Sequence, residues 1–199
     1  MIMPKEKREI QKQDIMPLDV YIKNRKELRK NIVSFKKDRR IALGPYATFY
    51  FESYETMLAQ VQEMLYIEKG GDEQLKDELE AYNPLIPNGK ELTATLMFEI
   101  DNPVSRSAFL SKVGGIEEKV FIKIDGEIAK AVPEKDVDRT SADGKASSVQ
   151  FIHFELTDKQ IQKFKSKNID IELGIDHKDY SHTTKLSLEN INSLSADFN

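Results

Sequence analysis

Two of the three histidines in this 199-residue chain fall in one short stretch, GIDHKDYSH, from Gly174 to His182. His177 and His182 stand five residues apart across a tight turn. Two imidazoles so placed could converge on one ion, with Asp176 or an outside carboxylate such as Glu63 completing a nitrogen and oxygen set suited to iron, manganese or zinc. The alternative is that both rings hydrogen-bond the turn or face water. His153, in a strand with apolar neighbours, reads as a hydrogen-bonded core histidine. Because the chain has no cysteine, disulfides, thiolate zinc sites, cysteine-held clusters and a cysteine nucleophile are excluded.

Three other places carry chemistry-bearing types. In QVQEML, Gln60 and Glu63 are three apart and share a helix face, whereas Gln62 points elsewhere. A buried Gln or Glu there requires a partner. Arg39 and Arg40 end a basic stretch beside Gly44-Pro45-Tyr46, where guanidinium forks could hold a phosphate or carboxylate, or complement a helix dipole. The polar run Glu134 to Ser148, with Arg139, Thr140, Lys145 and Ser147, is a candidate anion-binding loop. A phosphate-cradling glycine loop, a GxSxG elbow and an HExxH helix are all absent.

The elements that must position these residues follow from period and punctuation. Leu18, Tyr21, Ile22, Leu28, Ile32 and Phe35 form one stripe, which predicts a long amphipathic helix ending near Asp38. Gly44-Pro45 joins two short strands, Arg40 to Leu43 and Ala47 to Glu52. Ser53 caps a second helix that Gly70-Gly71 ends. Residues 72 to 82 form a third, stopped by Asn83-Pro84. Leu92 to Ile100 alternates as a strand with one buried face. Asn102-Pro103 opens a helix running to about Val113, and Asp125-Gly126 marks a hairpin.

Val149 to Leu156 reads as a central strand. Thr157 and Gln160 form a capping box. Ile169 to Asp176 alternates as a half-buried strand with GIDHKDYSH at its end, followed by a short strand, Thr183 to Leu186. Helices early and hairpins late give an α+β class with a mainly antiparallel sheet and a long N-terminal helix. The expected organisation is a flexible tail, residues 1–13, and a single domain over 14–199.

The composition is that of a soluble globular chain, 39% hydrophobic and 32% charged, with net charge -4. No run reaches a membrane span and the amino terminus lacks a secretory pattern, so a cytoplasmic location is expected. Residues 17 to 40 hold nine Lys or Arg against three acidic residues. Nucleic-acid binding ranks last for this stretch, because Tyr21 and Phe35 lie on its apolar stripe.

The segments QVQEML, AYNPLIPNG (Ala81 to Gly89), ELTATLMFEI (Glu91 to Ile100) and GIDHKDYSH, in this order, resemble a bacterial family catalogued as domain of unknown function thirty-five-oh-one, over about Asp14 to Leu194. The resemblance implies no assigned activity. It implies a setting beside rubrerythrin-like and iron–sulfur proteins, and a shared pattern including Gln60, Gln62, Glu63, His177, Tyr180 and His182. The expectation is a cytoplasmic accessory or binding protein for such a redox partner. Its pocket would be lined by Glu63, Tyr180, His177 and His182 and take a metal or small anion, with Gln60, Arg39 and Arg139 as further ligand-binding candidates. The alternatives are an enzyme using His177 or His182 as general acid or base, and a nucleic-acid binder using the basic helix.

Overall fold

The computed structural model describes residues 8–134, 140–142, 144–166 and 169–198. Arg139 lies outside them. The first helix, α1 (Leu18–Lys37), starts where the Pro17 carbonyl accepts from Tyr21 N at 2.9 Å. It leads into the hairpin β1 (Arg40–Leu43) and β2 (Ala47–Phe51), turned at Gly44 with φ +64°. Ser53 Oγ accepts from Thr56 N to start α2 (Tyr54–Glu68), and α3 (Gly71–Tyr82) follows. β3 (Glu91–Phe98) precedes α4 (Pro103–Leu110), which Asn102 caps by accepting from Val104 N and Ser105 N. β4 (Val120–Ile124) and β5 (Glu127–Lys130) are joined by Asp125 and Gly126, both at positive φ as a type I′ turn requires.

β6 (Val132–Pro133) and β7 (Val149–Glu155) come next. Thr157 and Gln160 exchange cap bonds ahead of α5 (Asp158–Ser166). β8 (Ile171–His177), β9 (Tyr180–Lys185) and α6 (Leu188–Leu194) complete the chain. The α+β class is thus realised with six α-helices and two antiparallel sheets among the described residues.

One sheet has the order β1-β2-β3-β7-β6 and the other β5-β4-β8-β9. They share one apolar core, to which Leu43, Phe49, Leu96 and Ile152 contribute from the first sheet and Ile122, Leu173 and Ile175 from the second. The chain crosses between sheets at Ala131, whose N–H donates to Val120 O at 2.9 Å, so β5 and β6 belong to different sheets though only one residue separates them. A second, smaller cluster lies outside the first sheet: Tyr54, Met57, Val61 and Leu75 of α2 and α3 pack with Ile10, Leu85 and Ile86.

That second cluster changes three expectations. β3 is buried on both faces over most of its length, because α2 and the 83–90 turn cover the face expected to meet water. β7, read as the doubly apolar strand, is the one that alternates. Within residues 8–13, expected as part of a tail, Ile10 is buried, 1% exposed, and its N–H and C=O are both held by the Asn83 side-chain amide, at 2.8 and 3.1 Å, while Glu9, Gln11, Lys12 and Gln13 stay exposed. The Gln62 amide holds Met16 in the same two-bonded way, at 2.9 and 3.1 Å. These two long-range clamps satisfy the main-chain groups of Ile10 and Met16 in an otherwise polar stretch.

Candidate functional site

GIDHKDYSH is a hairpin. β8 and β9 pair up to His177↔Tyr180 around Lys178 and Asp179, so Tyr180 and His182 are strand residues and the last strand starts earlier than its apolar pattern suggested. Directly opposed residues point to the same side. Ile175 faces His182 and His177 faces Tyr180, so these four share one side of the sheet, while exposed Asp176 projects from the other.

Two of the three polar side chains on that side are held by hydrogen bonds, and His182 by a ring contact. His177 is buried, and its Nδ1 accepts from Asp179 N at 3.2 Å, which fixes the turn. The Tyr180 hydroxyl donates to Leu43 O at 2.5 Å and accepts from Tyr46 N and Ala47 N at 3.1 and 3.0 Å. It thereby fastens the edge of the second sheet to the β1–β2 turn of the first. Burial raises its pKa, in keeping with a hydroxyl that stays protonated. His182 lies edge-on to the Tyr180 ring, centroids 4.5 Å apart. Gly44 sits beneath both: a Cβ there would meet His182 Cδ2 at 2.6 Å and Tyr180 Oη at 2.7 Å.

This geometry does not assemble the metal centre that the histidine spacing suggested. One imidazole nitrogen is engaged by the turn, Asp176 faces away, and among the described residues no group of three or more His, Asp or Glu is gathered to hold a metal. Nor is the expected pocket of Glu63 with the late histidines formed. All the ionic and hydroxyl partners of Glu63 lie on α1: Tyr21 Oη donates at 2.6 Å, Arg25 donates from Nε and Nη2 at 2.9 Å each, and Arg29 Nε is 4.0 Å away. Burial by itself would raise the Glu63 pKa, but the bonds from Arg25 and Tyr21 outweigh it and hold the carboxyl below its ordinary value. Arg25 also stacks on Tyr66 of α2, 4.4 Å from the ring centroid. Glu63 is the anchor of α1, and Gln60 reaches Tyr82 Oη at 3.4 Å.

Arg39 is not an open anion site. It is 2% exposed, and its guanidinium donates to Phe51 O, Glu52 O, Ser193 O and Asp197 Oδ2. Burial raises the Asp197 pKa, an effect that Arg39 at 2.5 Å only partly offsets. Arg40 does reach the surface, stacking on Tyr50 and approaching Glu99, which also accepts from Thr48 and Tyr50.

His153 is hydrogen-bonded as expected, its Nδ1 3.1 Å from Glu91 Oε2, and that carboxylate raises its pKa against the opposing effect of burial. Sequence reasoning missed two polar centres. Glu52 is buried and accepts from Thr56 Oγ1 and Thr95 Oγ1 at 2.6 and 2.8 Å, and Asp197 closes the Arg39 network. Nothing in residue type or spacing distinguishes either from a surface carboxylate.

The comparisons with known proteins bear on the whole of this arrangement. Residues 9–198 match the model of a family described as a protein of unknown function, DUF3501. The chain belongs to that family. A DUF3501 match from residue 9 takes in the segment held by Asn83 and Gln62. Among solved structures, a novel protein of unknown function from Burkholderia pseudomallei K96243 is similar at 33% identity and a TM-score of 0.89, over 96% of this chain and 99% of that one. No curated protein matches.

Proposed function

We propose that this chain is an accessory protein that acts by docking another protein, and that α1 is the docking element. The observation that carries the reading is the surface of that helix. α1 buries only Tyr21, which with Arg25 is tied to Glu63. At 100° per residue, Ile22, Lys23, Lys26, Lys30, Val33 and Lys37 fall together on one flank, away from that anchored line. All are exposed, Ile22 at 53% and Val33 at 67%. None of the four lysines has a carboxylate partner among the described residues.

A helix anchored rigidly on one side, with lysines and aliphatic side chains interleaved on the other, suits a protein surface carrying carboxylates. It suits nucleic acid less well, because Tyr21 is buried against Glu63 and Phe35 lies over Arg39, leaving no free aromatic platform on this flank. No helix among the described residues is long and apolar enough to cross a membrane. The setting implied by the family resemblance makes a cytoplasmic rubrerythrin-like or iron–sulfur protein the proposed partner.

The test is a titration of a purified rubrerythrin-like protein, one encoded beside a family member, against this chain and its Lys23→Glu/Lys26→Glu/Lys30→Glu variant. Salt-sensitive binding that the variant loses supports the reading. Binding indifferent to the variant, or none at low salt, overturns it.

A further inference from the structure

We infer that the α1 flank also accepts a second copy of this chain, whose α3 lies antiparallel along it; this rests on the reading of α1 as a docking helix. The complementary surface is on the chain itself. Glu73, Asp77 and Glu80 of α3 are exposed and lie on the side of the helix turned away from buried Leu75. None of the three has an ion-pair or hydrogen-bond partner among the described residues, whereas neighbouring Asp72 is paired with Lys12 and Glu78 accepts from Gln74. Exposed Asp19 lies on the basic flank and exposed Lys76 beside the acidic one, yet among the described residues neither set of charges is ion-paired within one molecule. They cannot easily satisfy each other there: α1 packs on Glu63 and Tyr66 of α2, while Leu75 of α3 belongs to the cluster holding Met57 and Val61.

The spacings match in opposite directions. From Glu73 the acidic positions advance by four and then three residues, to Asp77 and Glu80; from Lys30 the basic positions retreat by four and then three, to Lys26 and Lys23. An antiparallel alignment sets Glu73 against Lys30, Asp77 against Lys26 and Glu80 against Lys23. Under two-fold symmetry the same pairing recurs with the roles of the two copies exchanged, which closes the assembly at a dimer. Exposed ion pairs are individually weak, so the association depends on the set acting together with the apolar contact of Ile22 and Val33, and it is sensitive to salt. A redox partner and a second copy would then compete for one helix.

Sedimentation velocity tests this with the full chain and two charge-reversed variants, Lys23→Glu/Lys26→Glu/Lys30→Glu and Glu73→Lys/Asp77→Lys/Glu80→Lys. The expected result is a wild-type dimer at low salt that moves to monomer at high salt. Each variant alone should be monomeric at low salt, and an equimolar mixture should regain the dimer, because the reversed α1 of one meets the reversed α3 of the other. A wild-type monomer at low salt, variants that still dimerise, or a mixture that stays monomeric overturns the inference. So does a wild-type monomer that binds anionic phospholipid vesicles through α1. A monomer that binds the rubrerythrin-like protein, and loses that binding with the α1 variant, overturns the dimer alone and leaves the docking reading standing.

Discussion

Arg39 and Asp197, 158 residues apart in the chain, meet at 2.5 Å inside the protein and tie the start of β1 to the last turn of the chain. The arginine also donates to three main-chain carbonyls, so either partner removed alone leaves a buried charge uncompensated. Asp197→Ala and Arg39→Met should each lower stability by about 3–5 kcal/mol. The double replacement Arg39→Met/Asp197→Leu should lose less than the sum of the two single changes. Urea unfolding of the three variants checks this, and strictly additive losses would refute the coupling.

Glu63 holds α1 through Tyr21 and Arg25, and Glu63→Gln should cost about 1–2 kcal/mol, the scale of partly solvated charge-assisted bonds. The carboxyl's folded pKa lies below its ordinary value of 4.5. Its contribution is therefore present above pH 4.5 and disappears as pH falls through the lower folded value. Thermal melts from neutral to acid pH should show the gap between wild type and variant closing only on the acid side.

His153 behaves in the opposite sense. Glu91 raises its pKa above the ordinary 6.5, so protonation is favoured by folding. The contribution is fully present below pH 6.5 and lost as pH rises through the folded value. His153→Gln should thus be less stable than wild type at pH 6 and approach it in alkaline solution. An NMR titration of the ring that placed its pKa below 6.5 would remove the basis of this expectation.

Much of the fold was legible because its signals are local. The Asn102 and Ser53 caps, the Thr157–Gln160 box and the Asp125-Gly126 hairpin each act within a few residues. The site was less legible because its residues are disposed of by distant partners. Arg39, Tyr180 and Glu63 have the types expected of a binding site, yet Arg39 is consumed by main-chain carbonyls and the distant Asp197 carboxylate, Tyr180 by main-chain groups far away in sequence, and Glu63 by a neighbouring helix. The placement of Ile10 depends on Asn83 and that of Met16 on Gln62, which no pattern near either residue reveals. The basic flank of α1 was visible as composition, and its lack of counter-charge became visible only with the fold.

The seam between the sheets offers a separate test. Tyr180→Phe removes a hydroxyl that serves Leu43 O, Tyr46 N and Ala47 N, and should cost about 1–3 kcal/mol for the buried groups left unpaired. Gly44→Ala should cost about 1–2 kcal/mol for the left-handed backbone. It should lose more besides, because its Cβ would stand 2.6 Å from His182 Cδ2. Adding His182→Ala should recover part of the Gly44→Ala loss, as read by thermal denaturation. No recovery would show that the ring is not what Gly44 accommodates.

The claim that α1 is the docking element is tested most directly by amide hydrogen exchange of the full chain carrying Glu73→Lys/Asp77→Lys/Glu80→Lys, which leaves its α1 flank uncovered by a second copy, with and without the rubrerythrin-like protein. Added protection confined to residues 22–37 is the result the docking account predicts. Protection that instead falls on residues 174–182, leaving α1 unchanged, would contradict it.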